Sequence, residues 1–364
     1  MKFVLFSDLH LDAPFRWAPP AIGRKLRLGL RTTLERIVDL ANQRRADAIL
    51  CAGDLYEQQS FTPDTAEFLR VIFSAAKPIR VFIAPGNHDW YGPESLYNKV
   101  PWSENVHLFT ESRLVSTQLS EDLMLWGAAH CAPANTSDFL AGTYVDGPST
   151  NIALFHGSES SFLTAQGEGK APHAPFYESE IERSGFRHAF VGHYHHPRDT
   201  AWLTYAGSPQ PLSFGEGAGR AVFIEVDGNE IYRERIDVAS IAFHDLTVDV
   251  SGAASMMEIL QRTQSAVAGL HGVARLTLTG SLGTSVDLIL DDIKEIACEL
   301  DAPPVVRVWD LQADYDLSTI AQEQTVRGQF VRDVEASELA AHEKQRVIQV
   351  GLRALDGRED LEPV

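Results

Sequence analysis

The chain has 364 residues, of which 44% are hydrophobic, with 31 Lys and Arg against 50 Asp and Glu, a formal net charge of −19. That length and apolar content suit a soluble globular protein with one large domain, or one large and one small. The acidity excludes indiscriminate nucleic-acid binding, which needs a basic surface, and no stretch approaches the roughly 18 uninterrupted apolar residues of a membrane-spanning helix.

Met1-Lys2 runs straight into an apolar segment with no basic-then-apolar leader, so cytoplasmic residence and no membrane association are expected. Strand and helix signals alternate over the first hundred residues: a strand to Phe6, a helix over 24–42, and a strand at 48–52. A helix at 63–76 and a strand at 79–84 follow, the pattern of an α/β layer arrangement. Between Arg16 and Arg45 eight cations face only Glu35 and Asp39, either a solvated helix face or a phosphate-facing patch. Short strands at 106–109, 123–127 and 152–155 enclose a loop-rich region, and a polar excursion over 157–180 is placed to overhang the histidines at 193 and 195. A strand leads into His193, and Asp227-Gly228-Asn229 turns a hairpin.

From 241 to 335 the pattern is that of a small α+β module, with strands at 245–250, 274–278 and near 306, and helices at 254–269 and 286–297. Residues 336–364 read as an amphipathic helix from Ser337, with Leu339, Val347, Ile348, Leu352 and Leu355 on one side, and a disordered tail from Arg358. Cys51, Cys131 and Cys298 lack metal-type spacing and are expected to be small buried hydrophobes.

Five polar clusters each follow a short apolar run: Asp8 and His10, Gly53-Asp54, Asn87-His88-Asp89, His156, and His193 with His195. Taken singly they have ordinary explanations as caps, turns or a core histidine. Taken together and in order, they describe strand ends converging on one place. Imidazole, carboxylate and amide donors without cysteine suit manganese, iron or zinc, with magnesium also possible. Seven candidate ligands (Asp8, His10, Asp54, Asn87, His156, His193, His195) are too many for one ion and fit two sharing a carboxylate, an arrangement that serves in-line displacement at phosphorus. His88 is then free to protonate or stabilise the leaving oxygen. His130, His173 and His188 match no motif and are expected in loops or on the surface, as is His196.

This ordered set resembles the calcineurin-like metallophosphoesterases. Within them, Ser7-Asp8-Leu9-His10-Leu11 and the segment Tyr205 to Glu216 are most similar to the Mre11/SbcD nucleases. The resemblance implies a two-sheet β-sandwich flanked by helices over residues 1–240, with a small C-terminal α+β cap that shapes access for DNA. It implies that Asp8, His10, Asp54 and His195 hold one metal ion and that Asp54, Asn87, His156 and His193 hold the other. His88 would act near the scissile phosphate, with Asp89 behind it. It further implies two manganese ions, DNA exonuclease and endonuclease activity in repair, a homodimer, and a coiled-coil ATPase partner of the Rad50/SbcC type. The rivals are a phosphoesterase for a small ester or cyclic nucleotide, and a non-catalytic DNA-end-binding subunit. Some relatives carry a histidine three residues after the bridging aspartate, where this chain has Glu57.

Overall fold

The computed structural model describes residues 1–162, 172–284 and 286–357, which fall into two compact units, Met1–Ile241 and Ala242–Val364. The first unit begins with β1 (Lys2–Phe6), α1 (Pro20–Arg44), β2 (Ala48–Cys51), α2 (Pro63–Ala75), β3 (Arg80–Ile83) and β4 (Val106–Leu108). It continues with β5 (Val115–Ser120), β6 (Leu123–Gly127), β7 (Thr150–His156), α3 (Glu178–Arg183) and β8 (His188–Gly192). It closes with β9 (Arg198–Asp199), β10 (Leu203–Tyr205) and the hairpin β11 (Arg220–Asp227) and β12 (Glu230–Asp237).

These strands build two six-stranded sheets, ordered β12-β11-β1-β2-β3-β4 and β5-β6-β7-β8-β10-β9. In the first, β1 to β4 run parallel; in the second, β6, β7, β8 and β10 do. Parallel strands covered on both faces read as unbroken apolar runs, and Phe3 to Phe6 and Ala48 to Cys51 are buried throughout. The two-residue period then sorts the faces. Phe3, Leu5, Leu50 and Phe82 meet Ile152, Leu154 and Phe190 in a core between the sheets. Phe155, Ala189 and Val191 face the other way, packing with Phe176, Ile181 and Phe186.

Helix α1 starts where Pro20 supplies a fixed φ and needs no N–H partner, and it buries Leu26, Leu30, Leu34, Ile37 and Ala41. Each fully buried leucine contributes about 1.5–3 kcal/mol. The cationic face is partly engaged at home: Arg31 pairs with Asp64, Arg36 donates to the Ala239 carbonyl, and Arg44 lies 3.0 Å from Glu234. Strands β5 and β9 and helix α3 carry weak sequence signals, since β5 alternates between half-buried and exposed residues and β9 is two exposed residues.

The second unit contains β13 (Phe243–Asp249), α4 (Met256–Val267), β14 (Val273–Gly283), α5 (Leu290–Lys294) and β15 (Val305–Asp314). Helices α6 (Leu317–Ile320), α7 (Val326–Ala336) and α8 (Ala341–Leu355) follow. Its strands are all parallel, in the order β13-β14-β15. Helix α7 occupies a stretch where the sequence predicts no helix; Thr325 caps it by accepting from the Gly328 amide at 3.2 Å, and Val331 and Val334 enter the core. The last helix begins at Ala341 rather than Ser337, and only Ile348 and Leu352 of its expected apolar face are buried there. Cys51 is buried as expected, Cys298 is half-buried, and Cys131 is exposed. The expected tail from Arg358 and the middle of the 157–180 excursion, 163–171, lie outside the described residues. Among the described residues no helix is long and apolar enough to cross a membrane.

Candidate metal centre

Both sheets present the carboxyl ends of parallel strands at one place. The loop after β1 carries Asp8 and His10, that after β2 Asp54, and that after β3 Asn87 and His88. His156 ends β7, and His193 and His195 come just after β8. Main-chain bonds tie these loops together: the Asp8 amide donates to the Gly53 carbonyl at 3.0 Å and the His10 amide to the Asp54 carbonyl at 2.9 Å. Glycines let them approach. A Cβ at Gly53, where φ is +90°, would lie 2.6 Å from His156 Nδ1, and one at Gly86 would collide with the Asp54 carboxylate.

All seven expected ligands are brought together. Asp54 Oδ2 lies 3.3 Å from His156 Nε2 and 3.6 Å from His10 Nε2, while its Oδ1 accepts from the His88 amide at 2.8 Å. Around His156 Nε2 stand Asn87 Oδ1 at 3.1 Å and His193 Nδ1 at 3.3 Å. On the other side, Asp8, His10 and His195 offer donor atoms within 4.8 Å of one another, as do Asp8, Asp54 and His156. Asp8 is fully buried, and its carboxylate accepts from the Ser7 hydroxyl and from the His193 amide at 3.1 Å.

The histidines are gripped from behind. An ionised carboxylate or a carbonyl can only accept, so His10 Nδ1 donates to Glu57 Oε1 at 2.8 Å and His156 Nδ1 donates to the Ala52 carbonyl at 2.9 Å. His195 Nδ1 stands 3.4 Å from Glu216 Oε1. His10 Nε2 is buried with no hydrogen-bond partner; at His156 burial opposes protonation, but the Asp54 carboxylate outweighs it and raises the pKa to about 9. A buried imidazole nitrogen without a partner, set beside the Asp8 and Asp54 carboxylates, is costly unless a cation joins them. The donor set thus fits two divalent ions with Asp54 between them.

His88 is the open member, its side chain 47% exposed, with Nδ1 3.1 Å from Glu57 Oε2. Burial opposes its protonation, but Glu57 and Asp54 raise its pKa to about 9. Burial likewise works against ionising Glu57, yet the two imidazoles it touches hold its pKa down at about 2. Asp89, expected behind His88, is fully buried and instead accepts from the amides of Asp54 (3.1 Å), Leu55 (2.7 Å) and Gly86 (2.6 Å) and from the Tyr97 hydroxyl (2.6 Å). Burial first and the Asp54 charge second push its pKa up to about 6. It therefore joins the β2 and β3 loops, while the carboxylate touching His88 is Glu57's.

The expectation of loop or surface positions fails for His188, which lies in β8, and His130 is in a loop but not at the surface. His130 is fully buried, its Nε2 donating to the His156 carbonyl at 2.7 Å, and His188 is 1% exposed. His173 is half-buried, its ring 5.5 Å from that of His193, and His196 is exposed as expected. Glu57 and Glu216 are the site residues that the sequence did not announce. Glu57 stood out only as a departure from a histidine, and Glu216 lies between glycines that read as a loop.

A family model described as calcineurin-like phosphoesterase matches residues 1–197. The chain is similar to an uncharacterised metallophosphoesterase, YhaO, of Bacillus subtilis, 25% identical over 373 residues, covering 93% of this chain and 88% of the relative. Among solved structures it is similar to a Thermus thermophilus protein at 15% identity and TM-score 0.39, over 65% of this chain and 98% of that one. A purple acid phosphatase from yellow lupin is similar at 14% identity and TM-score 0.40, over 66% of this chain and 52% of that one.

Proposed function

The chain belongs to the calcineurin-like phosphoesterases, and from that premise we propose a two-metal phosphodiesterase that cleaves DNA as an exonuclease and endonuclease of the Mre11/SbcD type. The observation that carries the two-metal reading is the place of one oxygen, Asp54 Oδ2, between His10 Nε2 and His156 Nε2. By this reading Asp8, His10, Asp54 and His195 hold one ion, and Asp54, Asn87, His156 and His193 hold the other. Two divalent cations, manganese by the resemblance, would supply charge to polarise the phosphate and to activate the attacking water.

The chain's own contribution is orientation and a proton. Glu57, the Ala52 carbonyl and Glu216 fix the rings of His10, His156 and His195. His88, held at Nδ1, keeps Nε2 for the leaving oxygen: as the P–O bond breaks and its electron pair stays on that oxygen, His88 donates the proton. Support for DNA comes from the stretch Ala206 to Glu216, which carries the likeness to nucleases and whose Glu216 reaches His195. A homodimer and a coiled-coil ATPase partner belong to the same proposal.

A small phosphodiester or cyclic nucleotide is the second reading, favoured by the net charge of −19 and by the engagement of Arg31, Arg36 and Arg44 within their own unit. The test is manganese-dependent degradation of end-labelled duplex and single-stranded DNA beside a small phosphodiester, with Asp54→Ala and His88→Ala as controls. DNA cleavage lost in both variants supports the nuclease. Activity confined to the small ester selects the second reading, and fewer than two bound ions per chain would point to a non-catalytic DNA-binding subunit.

A further inference from the structure

We infer that Glu57 is a positioning residue that yokes a metal ligand to the proton donor, its two oxygens holding Nδ1 of His10 and Nδ1 of His88 at once. The inference rests on the two-metal reading above and goes beyond it: there Glu57 only orients His10, whereas here the same carboxylate couples His10 to His88. The geometry is specific. Oε1 lies 2.8 Å from His10 Nδ1 and Oε2 3.1 Å from His88 Nδ1, and the two rings stand edge to face with centroids 4.8 Å apart.

Glu57 is itself anchored. Its amide donates to the Leu11 carbonyl at 2.9 Å, its carbonyl accepts from the Phe61 amide at 2.9 Å, and the next amide, Gln58, donates to the His88 carbonyl at 2.9 Å. One carboxylate therefore spans the loops after β1, β2 and β3, setting where the ligand and the donor stand relative to each other.

A carboxylate in this role does two separable things. Through Oε1 it fixes the tautomer of His10 so that Nε2 is a lone pair, which bears on metal affinity. Through Oε2 it fixes the orientation of His88, which bears only on reactions whose leaving oxygen needs a proton. A glutamine keeps the shape but has one acceptor oxygen, so it cannot accept from both imidazoles.

The test compares wild type, Glu57→Gln, Glu57→Asp, His88→Ala and the Glu57→Gln/His88→Ala double variant. Manganese binding to stripped protein is measured by calorimetry, and turnover at saturating manganese is measured with two phosphodiesters, one with a nitrophenyl and one with an alkyl leaving group. Glu57→Gln is expected to keep both ions while weakening affinity about tenfold to a hundredfold. Its turnover of the alkyl ester falls by about the same factor, and the nitrophenyl ester, whose leaving oxygen needs no proton, is nearly unaffected. Glu57→Asp, one methylene too short to reach both rings, shows the same selectivity, and the double variant is no slower on the alkyl ester than His88→Ala. Loss of one ion in Glu57→Gln overturns the inference, because Glu57 would then be a ligand; equal loss on both esters overturns it as well, because its role would be structural. A wild type that binds two ions yet hydrolyses neither ester overturns the phosphodiesterase reading together with the role given to His88.

Discussion

Asp8, His10, Asp54 and His193 have φ of 55°, 50°, 53° and 112°, in a region that side chains other than glycine seldom adopt. Such positions cost on the order of 1–3 kcal/mol each and persist where the surroundings over-determine them, here through the amide bonds from Asp8, His10 and His193 that cross between loops. Residue types were legible in the sequence because candidate metal ligands come from a short menu; the backbone that aims them was not, since Asp and His, though enriched at positive φ, adopt it in only a small minority of cases. Burial misled for a related reason. His188 sits in strand β8, flanked in sequence by Arg187, and reads as polar, yet its Nε2 lies 2.9 Å from Thr204 Oγ1, a hydroxyl that also accepts from Arg233 Nη1 at 3.2 Å. Burial, then the Arg233 charge, lowers its pKa to about 3. The unfolded chain regains a pKa of about 6.5. Between these values the unfolded state binds the extra proton, so the stabilising effect is complete above the unfolded value and is lost as pH falls through the window. The slope from this residue is at most about 1.4 kcal/mol per pH unit. His188→Gln should flatten the pH dependence of the unfolding free energy, read by urea denaturation, between pH 7 and 4.5 by about 2–3 kcal/mol in total; an unchanged slope would place the acid sensitivity elsewhere.

Elements with a strong period were readable and those without it were not. Helix α1 declares itself through Leu26, Leu30, Leu34 and Ile37, and the doubly covered strands through unbroken apolar runs. Helix α7 was missed because Val331 and Val334 are its only buried apolar side chains, set among charged ones, and its start depends on a cap from Thr325 rather than on an apolar stripe. In α8 the apolar residues outnumber those that pack: Ile348 and Leu352 are 3% and 0% exposed, whereas Val347 and Leu355 are 40% and 46% exposed. The helix therefore holds to the core of its unit through two side chains. Leu352→Ala should cost about 2–5 kcal/mol and Leu355→Ala less than about 0.5 kcal/mol, read from chemical denaturation of the full chain. Equal effects would show that α8 packs by its whole apolar face and that the exposure of Leu355 is not what decides its contribution.

At the scale of the molecule, the convergence of five strand ends was legible because each candidate ligand cluster follows an apolar run, and a parallel strand delivers its carboxyl end to the same edge as its neighbour. What the pattern could not contain was the pairing between sheets, which sets Asp54 against His156 across a hundred residues of chain. Charge poses the remaining question at this scale. A chain of net charge −19 repels a polyanion unless local cations meet its phosphates, and among the cations between Arg16 and Arg45 those at 31, 36 and 44 are already engaged. Arg16 and Arg24 are exposed, as are Lys25 and Arg45, and under the proposed nuclease reading Arg16 and Arg24 would meet phosphates. Each phosphate neutralised adds about 0.9 to the salt slope, so two contacts lower kcat/KM on duplex DNA about tenfold between 50 and 200 mM salt. A small phosphodiester makes no such contacts, and its kcat/KM should be nearly flat over the same range. Arg16→Glu with Arg24→Glu should remove most of the DNA slope and leave the small ester untouched. A DNA slope that survives this double reversal would move the phosphate contacts away from this stretch, and flat profiles for both substrates would argue for the small-ester reading, because a nuclease that engages no phosphates beyond the scissile one has no means of holding a duplex.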